Sequence, residues 1–477
     1  MIRFLREKSQ VIGWIIVVTF LGTMFAGSLF LWSNKLKNKK LDPKEIIATA
    51  GDIQVDKTTF NQAFQKLLSQ LNQQNKNLNL TPELQEILYF NTFNQVLQTA
   101  FLLDGAKKEK IKISSQELDQ GIDLICQQNN LKDKAALKKR LKELKIDFSD
   151  MQNTLKEELL IQKFVLNLQS LVTVNQQDIL NKYTELELSH IFIPIHSDEI
   201  STEKELKAQK IYADLVKNPD QFSEFARQYS QDLATKDKGG YLGFVSYGTT
   251  IRDFEDIAYS LSPGSMSKLF KTSLGFHILY LHSKRDKPKP LFLAQEKDIL
   301  LKERKNQAAS YYVSKQMMGR RLLIQDPILL AYQSKLEGNY KVAIDAYQKQ
   351  ISQMPYIPAP HYQLSRLYGK MGDSEKSIEE LKKAELKAEL NTQYDFPGLH
   401  LELGRLYHHE KNTSKTHKHM LKAYELSIGN EVGLKDVLKV SQQLGLSDIS
   451  LKVQKELTVL NAASSKKNNV PTSNQKS

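Results

Sequence analysis

The chain has one cysteine, Cys126, in 477 residues. That excludes an intramolecular disulfide. Cys126 sits in a helical pattern and reads as a core thiol rather than a nucleophile. No zinc-finger, RRM or P-loop spacing occurs, so the net charge of +13 does not by itself point to nucleic acid. The lysines are scattered along amphipathic helices and read as solvated basic faces. His408, His409, His417 and His419 lack the carboxylate or thiolate spacing that would fix a metal geometry, and read as surface histidines. No metal and no cofactor is expected.

Long apolar runs are as scarce as cysteine. The single one, Val11–Trp32, carries no charge. At about 1.5 Å per residue it is long enough for a hydrocarbon core of roughly 30 Å. Arg3, Arg6 and Lys8 precede it, and Lys35, Lys37, Lys39 and Lys40 follow, so charge does not orient it. One N-terminal span before a long polar chain reads as a signal anchor: residues 1–10 cytoplasmic, 11–32 transmembrane, the bulk exported. A cleaved signal peptide is the competing reading, with Ala26-Gly27-Ser28 as its small-residue site. The run continues past that site to Trp32, which favours the anchor.

The remaining length has room for roughly three domains of ~100–200 residues. Residues 41–174 open with a short strand pair around Gly51-Asp52 and then show helical periodicity. Asp56 caps a helix through Phe60, Phe64 and Leu67, and Pro82 starts another at its first helical position. Residues 185–285 alternate short β-branched and aromatic runs with helical patterns. Residues 286–326 read as a linker helix. Residues 327–460 contain a repeat: Gly338-Asn339-Tyr340 with Ala343, and Gly372-Asp373-Ser374 with Leu381, are spaced by 34 residues. A third unit, with Leu403-Gly404, Tyr407 and Ala423, is displaced by five. The pattern fits about three tetratricopeptide-like units and says almost nothing about their ligand. Residues 461–477 hold no core former and read as a disordered tail.

The central stretch carries the most specific signals. Ser189-His190-Ile191 opens it and Gly275-Phe276-His277-Ile278 closes it, each within an apolar run. Between them come Phe222-Ser223-Glu224-Phe225-Ala226, Tyr229-Ser230-Gln231-Asp232, Gly239-Gly240-Tyr241-Leu242-Gly243, Phe254-Glu255 and Leu261-Ser262-Pro263-Gly264. In that order these segments resemble the parvulin family of peptidyl-prolyl cis/trans isomerases, over nearly the whole of 188–282. By layout, residues 41–174 are similar to the N-terminal helical domain of SurA/PpiD-type periplasmic folding factors. That resemblance implies clefts for unfolded segments; alternatively Phe60, Phe64, Tyr89, Phe90, Phe93 and Phe101 are simply core.

The resemblance also implies roles. His190 and His277 match paired histidines on adjacent strands that share a hydrogen bond. Asp232 matches the acid near the substrate carbonyl, and Thr272 the hydroxyl completing the network. Leu242 and Phe254 match the proline pocket. Thr250 stands where the family usually has Met, so the pocket loses a flexible apolar side chain. Pro194–Glu199 is not cationic, which argues against phosphoserine–proline selectivity.

The expected architecture is multidomain α+β: an N-terminal transmembrane helix, a helical chaperone-like domain, a parvulin-like domain with a four-stranded antiparallel sheet and helices, and all-α tetratricopeptide-like repeats. The expected function is a membrane-anchored isomerase and chaperone at the bacterial inner membrane. It would act on unfolded or nascent exported proteins containing X–Pro bonds, while the repeats recruit a protein partner. The rivals are a non-catalytic chaperone or adaptor, and a scaffold dominated by the repeats.

Overall fold

A computed structural model describes residues 46–74, 81–195, 201–289, 293–318 and 320–468. The expected cytoplasmic N-terminus and membrane anchor lie outside the described residues. Among the described residues no helix is long and apolar enough to cross a membrane. The chain divides into two compact units, Met1–Thr59 with Gln95–Leu323, and Phe60–Asn94 with Ile324–Ser477.

The strands and helices follow local signals. β1 (Ile46–Ala50) and β2 (Ile53–Asp56) pair antiparallel around Gly51, whose φ of 59° supplies the turn. Helix α1 is Lys57–Gln74 and α2 is Pro82–Lys108. Helices α3 (Ser115–Gln128), α4 (Lys134–Glu143) and α5 (Phe148–Ser170) follow, their N-caps supplied by Ser114, Asp133 and Asp147. Ile122, Ile125, Leu137, Leu141, Met151 and Leu155 form their core, and Cys126 is buried in it.

Helix α6 (Gln176–Lys182) leads into the second half of this unit. There β3 (Thr184–Pro194) is followed by α7 (Ser201–Lys217), α8 (Phe222–Tyr229), β4 (Tyr241–Ser246) and α9 (Arg252–Ser260). Three strands close it: β5 (Ser265–Met266), β6 (Phe270–Thr272) and β7 (Gly275–Asp286). The sheet order is β4-β3-β7-β5, with β6 also on β7, and every pairing is antiparallel. This corrects the expected four strands to five. β5 and β6 are separate short strands on β7: between them the Ser267 N–H still donates to Leu279 O at 2.8 Å, but the Leu279 N–H donates to the Ser267 hydroxyl at 2.9 Å and not to its carbonyl.

Strand alternation sorts the sheet's two faces. Ile191, Ile193, Phe276 and Ile278 pack against α7 and α8. Leu186, Leu188, Leu279 and Leu281 pack against Phe254 and Ala258 of α9. His190 and His277 share the parity of this second set, so both histidines point to the α9 side.

The segment expected as a linker packs against its neighbours. Helix α10 (Leu293–Met317) lies along α5, where Tyr312 and Val313 join Leu102, Ala106, Ile161 and Phe164. A Cβ on Gly105 would come within 2.5 Å of the Tyr312 hydroxyl and 2.6 Å of the Phe164 ring, so glycine is what lets these helices close.

In the second unit eight helices form four successive pairs: α11 (Pro327–Leu336) with α12 (Tyr340–Gln353), α13 (Ala359–Met371) with α14 (Ser374–Leu390), α15 (Pro397–His409) with α16 (Thr413–Ser427), and α17 (Glu431–Gln443) with α18 (Ser447–Asn468). The sequence pattern marked three; the fourth pair carries no glycine–tyrosine signature. Helix α18 runs into the expected tail, and residues 469–477 lie outside the described ones. Small residues sit where helices cross: a Cβ on Gly404 would be 2.7 Å from Met420 Sδ. His419 is buried, not on the surface as expected; its Nδ1 lies 2.9 Å from His400 Nδ1. Phe60 and Phe93 are fully buried, and Phe60 meets Tyr89 edge-on at 4.4 Å. In the first unit Phe101 is also fully buried. These rings serve as core and do not line open clefts.

Candidate active site

The site is built on the two central strands. In the β3–β7 ladder His190 stands opposite Leu279 and Phe192 opposite His277. The imidazole centroids are 6.4 Å apart and tilted by 35°. The expected hydrogen bond between them is absent: His190 Nδ1 and His277 Nδ1 are both buried without a partner. Each ring is instead fixed from its far side. His190 Nε2 lies 2.8 Å from Asp232 Oδ2 and 3.1 Å from Thr235 Oγ1. His277 Nε2 lies 2.8 Å from Thr272 Oγ1, which also accepts the Leu274 N–H at 3.1 Å.

Asp232 is placed by the turn after α8. Gln231 N–H donates to Phe192 O at 2.8 Å, tying the turn to β3. The Ala234 N–H donates to Asp232 Oδ1 at 3.1 Å, and the Thr235 hydroxyl donates to Oδ2 at 2.6 Å. The His190 hydrogen bond, opposed by partial burial and aided by Thr235, pulls the Asp232 carboxyl down to about 2. Burial, then the neighbouring His190, pushes His277 down to about 3. At neutral pH the site therefore holds a carboxylate and a neutral imidazole.

The Gly239-Gly240 pair lets the turn meet the strand. The Gly240 carbonyl accepts the His190 N–H at 2.9 Å. Its φ is 79°, and a Cβ there would lie 2.2 Å from the His190 carbonyl oxygen. Any side chain would push the turn off β3 and move Asp232 with it.

Aromatic rings surround His277. Phe192 stacks on it at 4.7 Å and Phe270 at 5.4 Å, while Phe254 meets it edge-on at 5.7 Å. Phe270 and Phe192 are its register partners on the two flanking strands. Leu242 packs beside Phe254 in the same cluster. His190, His277, Thr272 and Phe254 are buried; Asp232, Phe192, Leu242 and Phe270 are half-exposed and form a rim. The arrangement can receive a small apolar ring and present a carboxylate to a polar group beside it.

Of the sequence-marked residues, His190, Asp232, His277, Thr272, Phe254 and Leu242 are brought together. Thr250 is turned to another task. Its N–H at 3.1 Å and its hydroxyl at 3.3 Å both donate to Glu255, which also accepts the Gly248 N–H at 2.7 Å. Sequence reasoning missed Thr235, Phe192 and Phe270. Phe192 was findable, since it follows His190 by two and shares its face. Thr235 follows Asp232 by three, the spacing of a side-chain-closed turn. The far side of α9 is held by α10: Asp253 accepts from Lys315 at 2.5 Å and from the Tyr311 hydroxyl at 3.2 Å.

Residues 190–283 match the PPIC-type PPIase (rotamase) domain, and residues 1–165 match the SurA-like N-terminal domain. Foldase protein PrsA 3 of Bacillus cereus is 30% identical over 214 residues, 43% of this chain and 65% of that one. The chain thus spans just under two thirds of that relative. Foldase protein PrsA of Caldanaerobacter subterraneus is 27% identical over 298 residues, 61% of this chain and 90% of that one. A crystal structure of the peptidylprolyl isomerase PrsA of Bacillus anthracis is 26% identical, covering 47% of this chain and 95% of that one, with a TM-score of 0.22. With its histidine pair, its carboxylate and its family match all within 190–283, the chain carries a parvulin-type peptidyl-prolyl isomerase domain behind a SurA-like N-terminal domain.

Proposed function

We propose that the chain is a foldase that catalyses cis/trans isomerisation of X–Pro bonds in unfolded proteins through the 190–283 domain. The observation that carries this reading is one site in which Asp232 is hydrogen-bonded to His190 while Phe192, Phe254 and Phe270 enclose His277. Amide resonance sets a barrier of ~20 kcal/mol, and the uncatalysed event takes tens of seconds. Rotation needs no covalent step. The catalyst has only to bind the twisted amide better than the planar one.

Phe192, Phe254, Phe270 and Leu242 would hold the proline ring. Asp232 would lie beside the carbonyl preceding it. A carboxylate there disfavours negative charge on the carbonyl oxygen. It thus favours the form in which the C–N bond is nearly single. His190 and Thr235 hold Asp232 ionised and aimed. Thr272 orients His277, and the flanking phenyl rings keep that imidazole uncharged, so it adds no cation to neutralise Asp232.

The helical domain would hold client segments, the run at 11–32 would anchor the chain to a membrane, and the bulk would face the extracytoplasmic side, where exported proteins fold. The helix pairs at 327–460 would be tetratricopeptide-like repeats.

The experiment is acceleration of cis-to-trans conversion in a series of X–Pro peptides by the full chain, beside His277→Ala. Acceleration that the variant loses, with its circular dichroism unchanged, supports the proposal. A folded wild-type chain that accelerates no peptide overturns it in favour of a peptide-binding chaperone.

A further inference from the structure

The first half of helix α2 belongs to the second unit and carries a patterned face there. Thr81 caps it, accepting the Leu84 N–H at 3.3 Å, and Pro82 occupies its first turn. Glu83, Glu86, Tyr89 and Phe90 then recur at i, i+3, i+6 and i+7, one stripe of the helix. Each meets a matching group from the helix pairs. Glu86 accepts from Lys335 Nζ at 2.6 Å and from the Tyr347 hydroxyl at 2.8 Å. Glu83 is paired with Arg366. The Tyr89 hydroxyl donates to Asp326 at 3.3 Å, and Phe90 packs on Tyr332 at 5.1 Å.

The receiving residues come from the N-cap of α11 and from α11, α12 and α13, three successive helices of the array. They form a groove and not a single helix–helix contact. The Glu86 side chain is 8% exposed and that of Lys335 24%. An ion pair this deep contributes selectivity more than stability, because desolvation offsets most of the attraction. Apolar side chains would have served a plain core as well. A carboxylate met by an ammonium and a phenol, one turn from an aromatic pair, is how a groove reads the face of a bound helix.

We propose that the groove of α11–α13 is a receptor for an acidic–aromatic helix of pattern Glu-x-x-Glu-x-x-Tyr-Phe. Its resident ligand is the chain's own Glu83–Phe90 segment, and another helix of this pattern enters only by exchange with it. The groove is thus held in cis, and recruitment of a partner requires release of the Glu83–Phe90 segment. This inference does not rest on the isomerase reading.

The test uses the full chain and a fluorescent peptide of residues 81–94. A release variant, Glu83→Arg with Tyr89→Ala, weakens the resident helix and leaves buried Glu86 in place. The release variant should bind the peptide about tenfold or more tightly than wild type. Adding Arg366→Ala should abolish that gain. Adding Arg366→Glu instead places a negative charge opposite the substituted position 83, recloses the groove, and returns peptide binding to the wild-type level. Circular dichroism checks each variant's fold. Equal binding to wild type and a folded release variant, or binding indifferent to both Arg366 substitutions, overturns the proposal.

Discussion

Glu255 organises the turn that presents Phe254. Its carboxylate accepts from Gly248 N–H, Thr250 N–H and the Thr250 hydroxyl. Burial pushes its carboxyl up, and the Thr250 and Gly248 donors pull it back. Replacing Glu255 with Ala removes one acceptor from three donors. Hydrogen bonds to a charged group contribute about 1.5–3 kcal/mol each. Gly248 is exposed, so water replaces part of the loss, and the net local cost is about 2–3 kcal/mol. The 247–251 turn then loosens and Phe254 shifts. A misplacement of about 1 Å can cost up to 10²-fold in rate. The assay is hydrogen exchange at the Gly248 and Thr250 amides together with peptide isomerisation. Exchange should quicken at both amides and isomerisation should fall by about tenfold or more, with Glu255→Gln milder in both. Glu255→Ala with wild-type exchange at these amides and wild-type activity would show that Glu255 does not hold the turn.

Other outcomes follow from the same geometry. Gly105→Ala gains helix propensity of about 1 kcal/mol but drives a methyl into Tyr312 and Phe164. It should destabilise the first unit by about 1–3 kcal/mol, read by urea unfolding. Thr235→Val removes the hydroxyl shared by Asp232 and His190. It should lower kcat with KM little changed, in steady-state peptide assays. His277 titrates near 3 when folded and near 6.5 when unfolded. Its contribution to stability is therefore full above about pH 6.5 and is lost as pH falls towards 3, because the unfolded chain binds the extra proton. Wild type should lose stability to His277→Phe across that window, by up to about 1.4 kcal/mol per pH unit, measured by unfolding at stepped pH.

The sequence marked what short range decides. The apolar runs Leu188–Ile193 and Phe276–Leu281 read as two strands that each carry a histidine, and the ordered motifs place Asp232 with them. The Gly51 and Gly240 turns were legible because glycine enters positive φ at the least steric cost. What escaped depends on partners far along the chain. The helix at 293–317 looked like a connector because its apolar residues are sparse, and only the facing surface of α5 shows what Tyr312 buries. Thr250 looked like a pocket residue by position, but the acceptor five residues on captures it. Phe270 could not be assigned to the histidine without the β6–β7 register. His419 looked like a surface group until His400, nineteen residues earlier, was placed opposite it.

In the proposed mechanism an ionised carboxylate at 232 lowers the barrier to amide rotation. The decisive comparison is the isomerisation kinetics of the full chain and its Asp232→Asn variant at pH 7 on one peptide. Asparagine keeps the shape and can still accept from Thr235, but carries no charge. The variant's kcat should be lower by about tenfold or more with KM nearly unchanged. An Asp232→Asn chain as fast as wild type would rule out a role for the charge at 232.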